Sequence, residues 1–317
     1  MSKAARSAPR VSAHRARLAR ERALQYRLEH AAFRAARAIF GRLKVDRASA
    51  LGGWVARRFG PIFARRAHRR ARANLHRALP DRSGAEIRAI LGDVWENLGR
   101  TATEFFHLDA FRPFEEGGRV SVEGAEHLEA VKAAGRPAVF VSGHFANWEV
   151  AAIVLHRAGV ETCVAYRPAN NLYVDEAIIE TRAAVMSSVT APKGPEGMRK
   201  MLAALKAGRS LALLTDQKLN DGVEATLLGR PAMTAPAPAR LALRFGAPII
   251  PLAIERNGGA NFTVRIYPPI ETRELDRNSE DMLTGALTQQ INDFLSERIL
   301  ARPGEWLWLH NRWADDA

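Results

Sequence analysis

The chain of 317 residues is 47% hydrophobic and 26% charged, a balance that buries a sizeable core, excludes disorder throughout and leaves room for one large α/β domain or two modest ones. The single cysteine, Cys163, excludes a disulfide framework and any multi-cysteine metal site. The net charge of +13 is unevenly placed: residues 1–80 hold 21 Lys+Arg against 3 Asp+Glu, net +18, whereas the other 237 residues hold 26 against 31, net −5. A basic arm on a mildly acidic body reads as an attachment device rather than as a nucleic-acid-binding fold, whose basic footprint would spread over the working domain.

Residues 1–25 read as a solvated or fraying helical arm in which Arg alternates with Ala; the compact apolar stretch of a secretory signal is absent. From Leu28, the apolar residues Ala32, Ala36, Ile39, Phe40 and Leu43 recur at helical spacing with Arg27, Arg34, Arg37 and Arg42 on the flanks, an amphipathic basic helix. A second apolar cluster, Trp54, Val55, Phe59, Ile62 and Phe63, precedes Arg65, Arg66, Arg69 and Arg70, with Gly60-Pro61 expected to break or kink the run. Aromatic residues beside arginines suit an anionic bilayer surface, where apolar faces sink and cations meet phosphates. No run of about 18 uninterrupted apolar residues exists, so a conventional transmembrane helix is not expected. Residues 82–109 read as a helix capped by Ser83.

Beyond this point short apolar runs alternate with helical segments. Strands are expected at Ala138–Ser142, Glu161–Tyr166, Ser210–Thr215, Pro248–Ile254 and Phe262–Tyr267, with Val223–Leu228 as an additional one; helices are expected near 146–158, 172–187, 195–207, 236–245 and 278–300. The alternation predicts an α/β fold: a mixed, largely parallel sheet flanked by helices, preceded by an N-terminal basic amphipathic helical region. The chain therefore divides into an arm at 1–80 for membrane-surface attachment and an α/β domain at 81–317.

In open α/β sheets ligands collect outside the carboxyl ends of strands. Three strand ends carry the chemistry: Ser142-Gly143-His144 with Asn147 and Glu149, Tyr166-Arg167-Pro168 with Asn170 and Asn171, and Thr215-Asp216-Gln217-Lys218. The pattern H-x4-[DE] is weak alone: about one match is expected by chance and four occur, His76/Asp81, His144/Glu149, His156/Glu161 and His310/Asp315. Only His144 follows a strand and a glycine and immediately precedes a helix. With His144 in the turn and Glu149 about one helical turn further on, the carboxylate is expected to hold one imidazole nitrogen and leave the other facing the cleft as a general base. A helix-cap histidine with an exposed glutamate is the bland alternative. No G-x-S-x-G nucleophile motif is present, so the reacting hydroxyl is expected to belong to the substrate.

The segment Val141-Ser142-Gly143-His144-Phe145-Ala146-Asn147-Trp148-Glu149 resembles the signature of the lysophospholipid acyltransferase superfamily, and within it the chain resembles the bacterial lipid A biosynthesis acyltransferases. Further matches are Asn97-Leu98-Gly99-Arg100 with Glu104, Tyr166-Arg167-Pro168, Asp216-Gln217, Gly229 with Thr234, and the closing Pro303-Gly304-Glu305-Trp306-Leu307-Trp308-Leu309-His310-Asn311-Arg312-Trp313. The resemblance implies transfer of a fatty acyl chain from acyl carrier protein to a hydroxyl of an acylated glucosamine disaccharide, the late step of lipid A assembly, at the cytoplasmic face of the inner membrane. It implies His144 as base with Glu149 as its partner, Arg167 and Arg182 holding phosphate or the developing oxyanion, and Asn147 and Asp216 lining the cleft. The expected partners are acyl carrier protein, anionic membrane lipid and a lipid A precursor, with no nucleic acid, metal or other cofactor. Relatives begin with a hydrophobic anchoring helix where this chain has a basic, interrupted amphipathic one, so peripheral attachment is expected. Their Asn-Pro after Tyr-Arg-Pro is Asn170-Asn171 here, which leaves open another glycolipid acceptor, such as a phosphoinositol mannoside, or an aminolipid.

Overall fold

The computed structural model describes residues 21–272 and 280–313; residues 1–20 of the expected arm and Asp315 lie outside these. Four helices come first: α1 (Ala23–Phe40), α2 (Val45–Phe63), α3 (Arg65–Ala78) and α4 (Gly84–Glu104). The break expected at Gly60-Pro61 does not occur. Pro61 falls in the last turn of α2, where it costs one hydrogen bond near an end, and the chain turns only at Ala64. Ser83 caps α4 in a full capping box, its hydroxyl accepting from the Glu86 N–H while the Glu86 carboxylate accepts from the Ser83 N–H. The helix expected to run to 109 tightens instead into a 3-10 segment at Phe105–Ala110, with a kink at His107.

The remaining elements, in chain order, are β1 (Val120–Glu123), α5 (Ala125–Ala134), β2 (Val139–Ser142), α6 (Glu149–Arg157), β3 (Thr162–Tyr166), α7 (Leu172–Ala183), β4 (Thr190–Pro192), α8 (Pro195–Lys206), β5 (Ser210–Leu214), β6 (Lys218–Leu227), β7 (Arg230–Thr234), α9 (Ala237–Phe245), β8 (Ile249–Arg256), β9 (Phe262–Ile266) and α10 (Glu280–Ala301). Seven strands form one sheet in the order β1-β9-β8-β2-β5-β3-β4. Every neighbouring pair is parallel except β8 and β9, so the sheet is mixed and largely parallel, as expected. β2 and β8 sit in the middle and bury both faces, which is why Val139-Phe140-Val141 and Ile249-Ile250 read as unbroken apolar runs. β6 and β7 pair separately as an antiparallel hairpin, closed by a two-residue turn in which Leu228 and Gly229 both take positive φ.

The N-terminal helices share this core. Ala48, Ala71 and Leu75 are fully buried. α2 lies unusually close to α4 because glycines face each other: a Cβ on Gly99 would sit 2.1 Å from the Gly52 carbonyl oxygen. α1 lies against the start of α7, where Asn171 donates to the Tyr26 carbonyl and to Glu29.

Candidate active site

The site is assembled by strand register. β2 and β5 are parallel neighbours with Ser142 opposite Leu214, so the second residue beyond each strand, His144 on one and Asp216 on the other, falls side by side at the carboxyl edge of the sheet. The Asp216 carboxylate takes three hydrogen bonds: one with His144 Nδ1 at 2.8 Å, one from the His144 backbone N–H at 2.8 Å and one from Trp306 Nε1 at 2.7 Å. Burial of Asp216 would raise its carboxyl, but His144, through its charge and both hydrogen bonds, holds it below the ordinary carboxylate range. The buried carboxylate thereby fixes the imidazole, places a proton on Nδ1 and leaves Nε2 available.

Glu149 has a different partner from the one assigned from sequence. Its two oxygens receive Arg182 Nε at 2.8 Å and Arg182 Nη2 at 2.5 Å, a bidentate pair, and no hydrogen bond joins it to His144 among the described residues. The cause is local. α6 begins at Glu149 itself, three residues later than expected, because Ala146 adopts the left-handed region at φ 43°; Glu149 is therefore at the helix start rather than a turn into it. Arg182 is largely buried, which would lower its pKa, yet the Glu149 carboxylate raises it, so the guanidinium stays charged.

The left-handed alanine costs on the order of 1 kcal/mol and is held from several sides. The Ala146 N–H donates to the Glu305 carbonyl, and the Ala146 carbonyl accepts from Asn97 Nδ2 and Thr101 Oγ1 of α4. Gly143 is needed ahead of it, since a Cβ there would lie 2.9 Å from the Phe145 ring. Beneath the turn, Glu104, with no solvent exposure, pairs with Arg256 of β8 at 2.5 Å and accepts from Ser49 of α2 and from Asn147 Nδ2. Asn147 Oδ1 in turn accepts from the Glu149 N–H.

Asn147 and Asp216, expected to line the cleft, are both buried and act on their neighbours instead: Asn147 links Glu104 to the start of α6, and Asp216 holds His144. Arg167 and Arg182 do reach the cavity wall, as do His144 and Glu149. The cavity, of about 630 Å³, runs between the sheet and the helices α6 and α8. Its wall is largely apolar, with Met186, Met198, Met201 and Ala212 alongside Leu155, and Lys193 and Lys218 also line it.

Several members of the site were missed from sequence. Arg256 sits in an ordinary strand and gives no signal at all, and Glu104 was noted without a role. The Trp-rich tail lies beside His144: Trp306, Trp308 and Trp313 pack on one another with ring centroids 4.8–6.3 Å apart, and the His310 ring lies 4.9 Å from that of His144. Burial and the neighbouring His144 push His310 down to about 4, so it stays neutral in ordinary buffers. Arg312, also buried, is lowered to about 10 by desolvation and donates to the Met233 carbonyl and Thr234 Oγ1, locking the tail to β7.

A carboxylate-oriented imidazole on the wall of an apolar cavity lined also by lysines and arginines is compatible with transfer of a fatty acyl group, and acyltransferase is the class that the family match shows. Residues 19–315 match the model of the bacterial lipid A biosynthesis acyltransferase family, and the chain belongs to that family. Among curated proteins it is similar to the phosphatidylinositol mannoside acyltransferase of Mycobacterium tuberculosis strain H37Rv, 28% identical over 285 residues, covering 83% of this chain and 87% of that protein. The protein of the same description from Mycolicibacterium smegmatis is 28% identical over 218 residues, 67% and 68% of the two chains. Among solved structures, the 1-acyl-sn-glycerophosphate acyltransferase of Thermotoga maritima aligns over 84% of this chain and 97% of its own, with a TM-score of 0.37 and 14% identity.

Proposed function

We propose that the protein acylates a hydroxyl of a glycolipid at a bilayer surface, with acyl carrier protein as donor, and that the acceptor is an acylated glucosamine-disaccharide lipid at a late step of lipid A assembly. The observation that carries this reading is the His144–Asp216 pair, with His144 on the wall of the apolar cavity. His144 Nε2 takes the proton of the acceptor hydroxyl as its oxygen attacks the thioester carbonyl. The imidazolium so formed is stabilised by Asp216. The tetrahedral oxyanion collapses, the carbon–sulfur bond breaks, and the departing thiolate takes the proton back from His144, leaving an ester and the free carrier thiol. Arg182, oriented by Glu149, and Arg167, both on the cavity wall, meet the oxyanion or an acceptor phosphate in this reading, charge that favours the transition state. No metal or other cofactor takes part, since the thioester is already activated.

A second reading is a mannosylated phosphoinositide as acceptor, supported by the names of the curated relatives. In either case the enzyme works from the cytoplasmic face of the inner membrane, held peripherally by the basic N-terminal region. No described helix is long and apolar enough to cross a membrane. Mass spectrometry of lipid A from a host lacking its late acyltransferases tests the first reading. A gain of one acyl chain on expression of the wild type, but not of His144→Ala, is expected. An unchanged lipid A together with acylation of a phosphoinositol mannoside in vitro would replace the first reading by the second.

A further inference from the structure

α2 has two apolar faces of opposite character. Its small residues, Ala48, Gly52 and Gly53, are buried, with the two glycines closing on α4, whereas its large ones, Leu51, Trp54, Val55, Phe59, Ile62 and Phe63, are all exposed, Phe63 at 85%. Burying small residues while presenting large ones to water inverts the usual arrangement of a surface helix. The exposed set recurs at helical spacing from Leu51 to the end of the helix, with Trp54 and Phe59 ring centroids 6.0 Å apart and Phe59 and Phe63 6.5 Å. A contiguous apolar stripe of this kind marks an interaction surface.

Charge identifies the occupant. Arg58 lies 5.8 Å from the centroid of the Phe59 ring, and Arg65 and Arg66 are exposed just past the end of the stripe. The nearby carboxylates are already engaged: Asp46 by Arg119, and Asp93 and Glu96 by Arg57. Aromatic rings bordered by uncompensated arginines match the acyl boundary and phosphate layer of an anionic bilayer, and match poorly a second copy of the same cationic face, which would repel itself.

We infer that the outer face of α2 is the surface on which the enzyme sits on an anionic bilayer, with Trp54, Phe59 and Phe63 entering the acyl boundary while Arg58, Arg65 and Arg66 meet lipid phosphates. The inference rests on the peripheral attachment proposed above and narrows it from an eighty-residue arm to one helix face. It also fixes an orientation. α2 closes on α4 through Gly52 and Gly99, and α4 grips the His144 turn through Asn97 and Thr101, so docking here sets the attitude of the catalytic edge toward the membrane.

Sedimentation of the full-length protein with vesicles tests this, using phosphatidylcholine alone and phosphatidylcholine with about one third phosphatidylglycerol. The wild type is expected to bind the anionic vesicles. Trp54→Ser/Phe59→Ser/Phe63→Ser and Arg58→Ala/Arg65→Ala/Arg66→Ala should each lose about tenfold or more in partitioning, with melting temperature and acyl transfer to detergent-dispersed acceptor unchanged. Binding by the aromatic variant within about twofold of wild type overturns the inference, as does a shift of that variant from dimer to monomer with unaltered vesicle binding. If the wild type binds neither vesicle, peripheral attachment itself fails and the inference with it, while acyl transfer in detergent still reports separately on the proposed reaction.

Discussion

Asp216→Asn separates the two carboxylates that stand near the base. In the wild type, Asp216 Oδ2 accepts the His144 backbone N–H and Trp306 Nε1–H, at 2.8 and 2.7 Å, while Oδ1 meets Nδ1 at 2.8 Å. An asparagine has one acceptor oxygen, and two fixed donors compete for it on the Oδ2 side. Its amide nitrogen is then turned toward Nδ1, which must become an acceptor, so the imidazole proton moves to Nε2, where the base is needed. Replacing an orienting carboxylate by its amide in hydrolytic triads costs about four orders of magnitude, equivalent to about 5 kcal/mol of transition-state stabilisation, and a loss of that size in kcat is expected here with KM little changed. The assay is transfer of a radiolabelled acyl chain from acyl carrier protein to dispersed glycolipid, with circular dichroism to confirm the fold. Glu149→Gln, which weakens the hold on Arg182 without touching the imidazole, should cost less. Retention of kcat within tenfold in Asp216→Asn, or a larger loss in Glu149→Gln than in Asp216→Asn, would refute the assignment of Asp216 as the orienting group.

Two further outcomes follow from buried charge. Removing one member of the Glu104–Arg256 pair strands the other, so Glu104→Gln and Arg256→Met should each lower stability by about 3–5 kcal/mol in urea denaturation, and the double variant by clearly less than the sum; additive losses would mean that the two side chains do not act as a pair. His310 titrates at about 4 in the folded protein against 6.5 for an unperturbed imidazole, with His144, Asp216, Arg167 and Arg70 facing it. Between these values the unfolded chain binds more protons, so stability falls as pH drops through the window, by on the order of 3 kcal/mol in all. His310→Gln should flatten that slope between about pH 6.5 and 4; an unaltered slope would place its origin elsewhere.

The alternation of apolar runs and helical periods was enough to place the central strands, because β2, β5 and β8 are largely buried, the first half of β3 with them, and their sequences say so. Short strands at or near the sheet's edges, β1, β4 and the β7 arm of the hairpin, were not read, since three to five residues with mixed burial carry no clear period. At the site, His144 was legible as a histidine after a strand and a glycine. Its partner was not, because the neighbourhood of Asp216 is a property of strand pairing: 72 residues separate the two in sequence and only the β2–β5 register joins them. Spacing along one helix suggested Glu149 instead, and a single left-handed alanine, which no local propensity would predict, moved the helix start and turned that carboxylate toward Arg182.

The turn that carries His144 is completed by residues that follow the last helix. Glu305 supplies the carbonyl that fastens Ala146, and Trp306 supplies a donor to Asp216. A polypeptide clipped before Glu305 would keep every described strand of the sheet, yet the His144 turn would be loosely held. The orientation of His144 is thus a property of the segment after the last helix as much as of the strand that carries it.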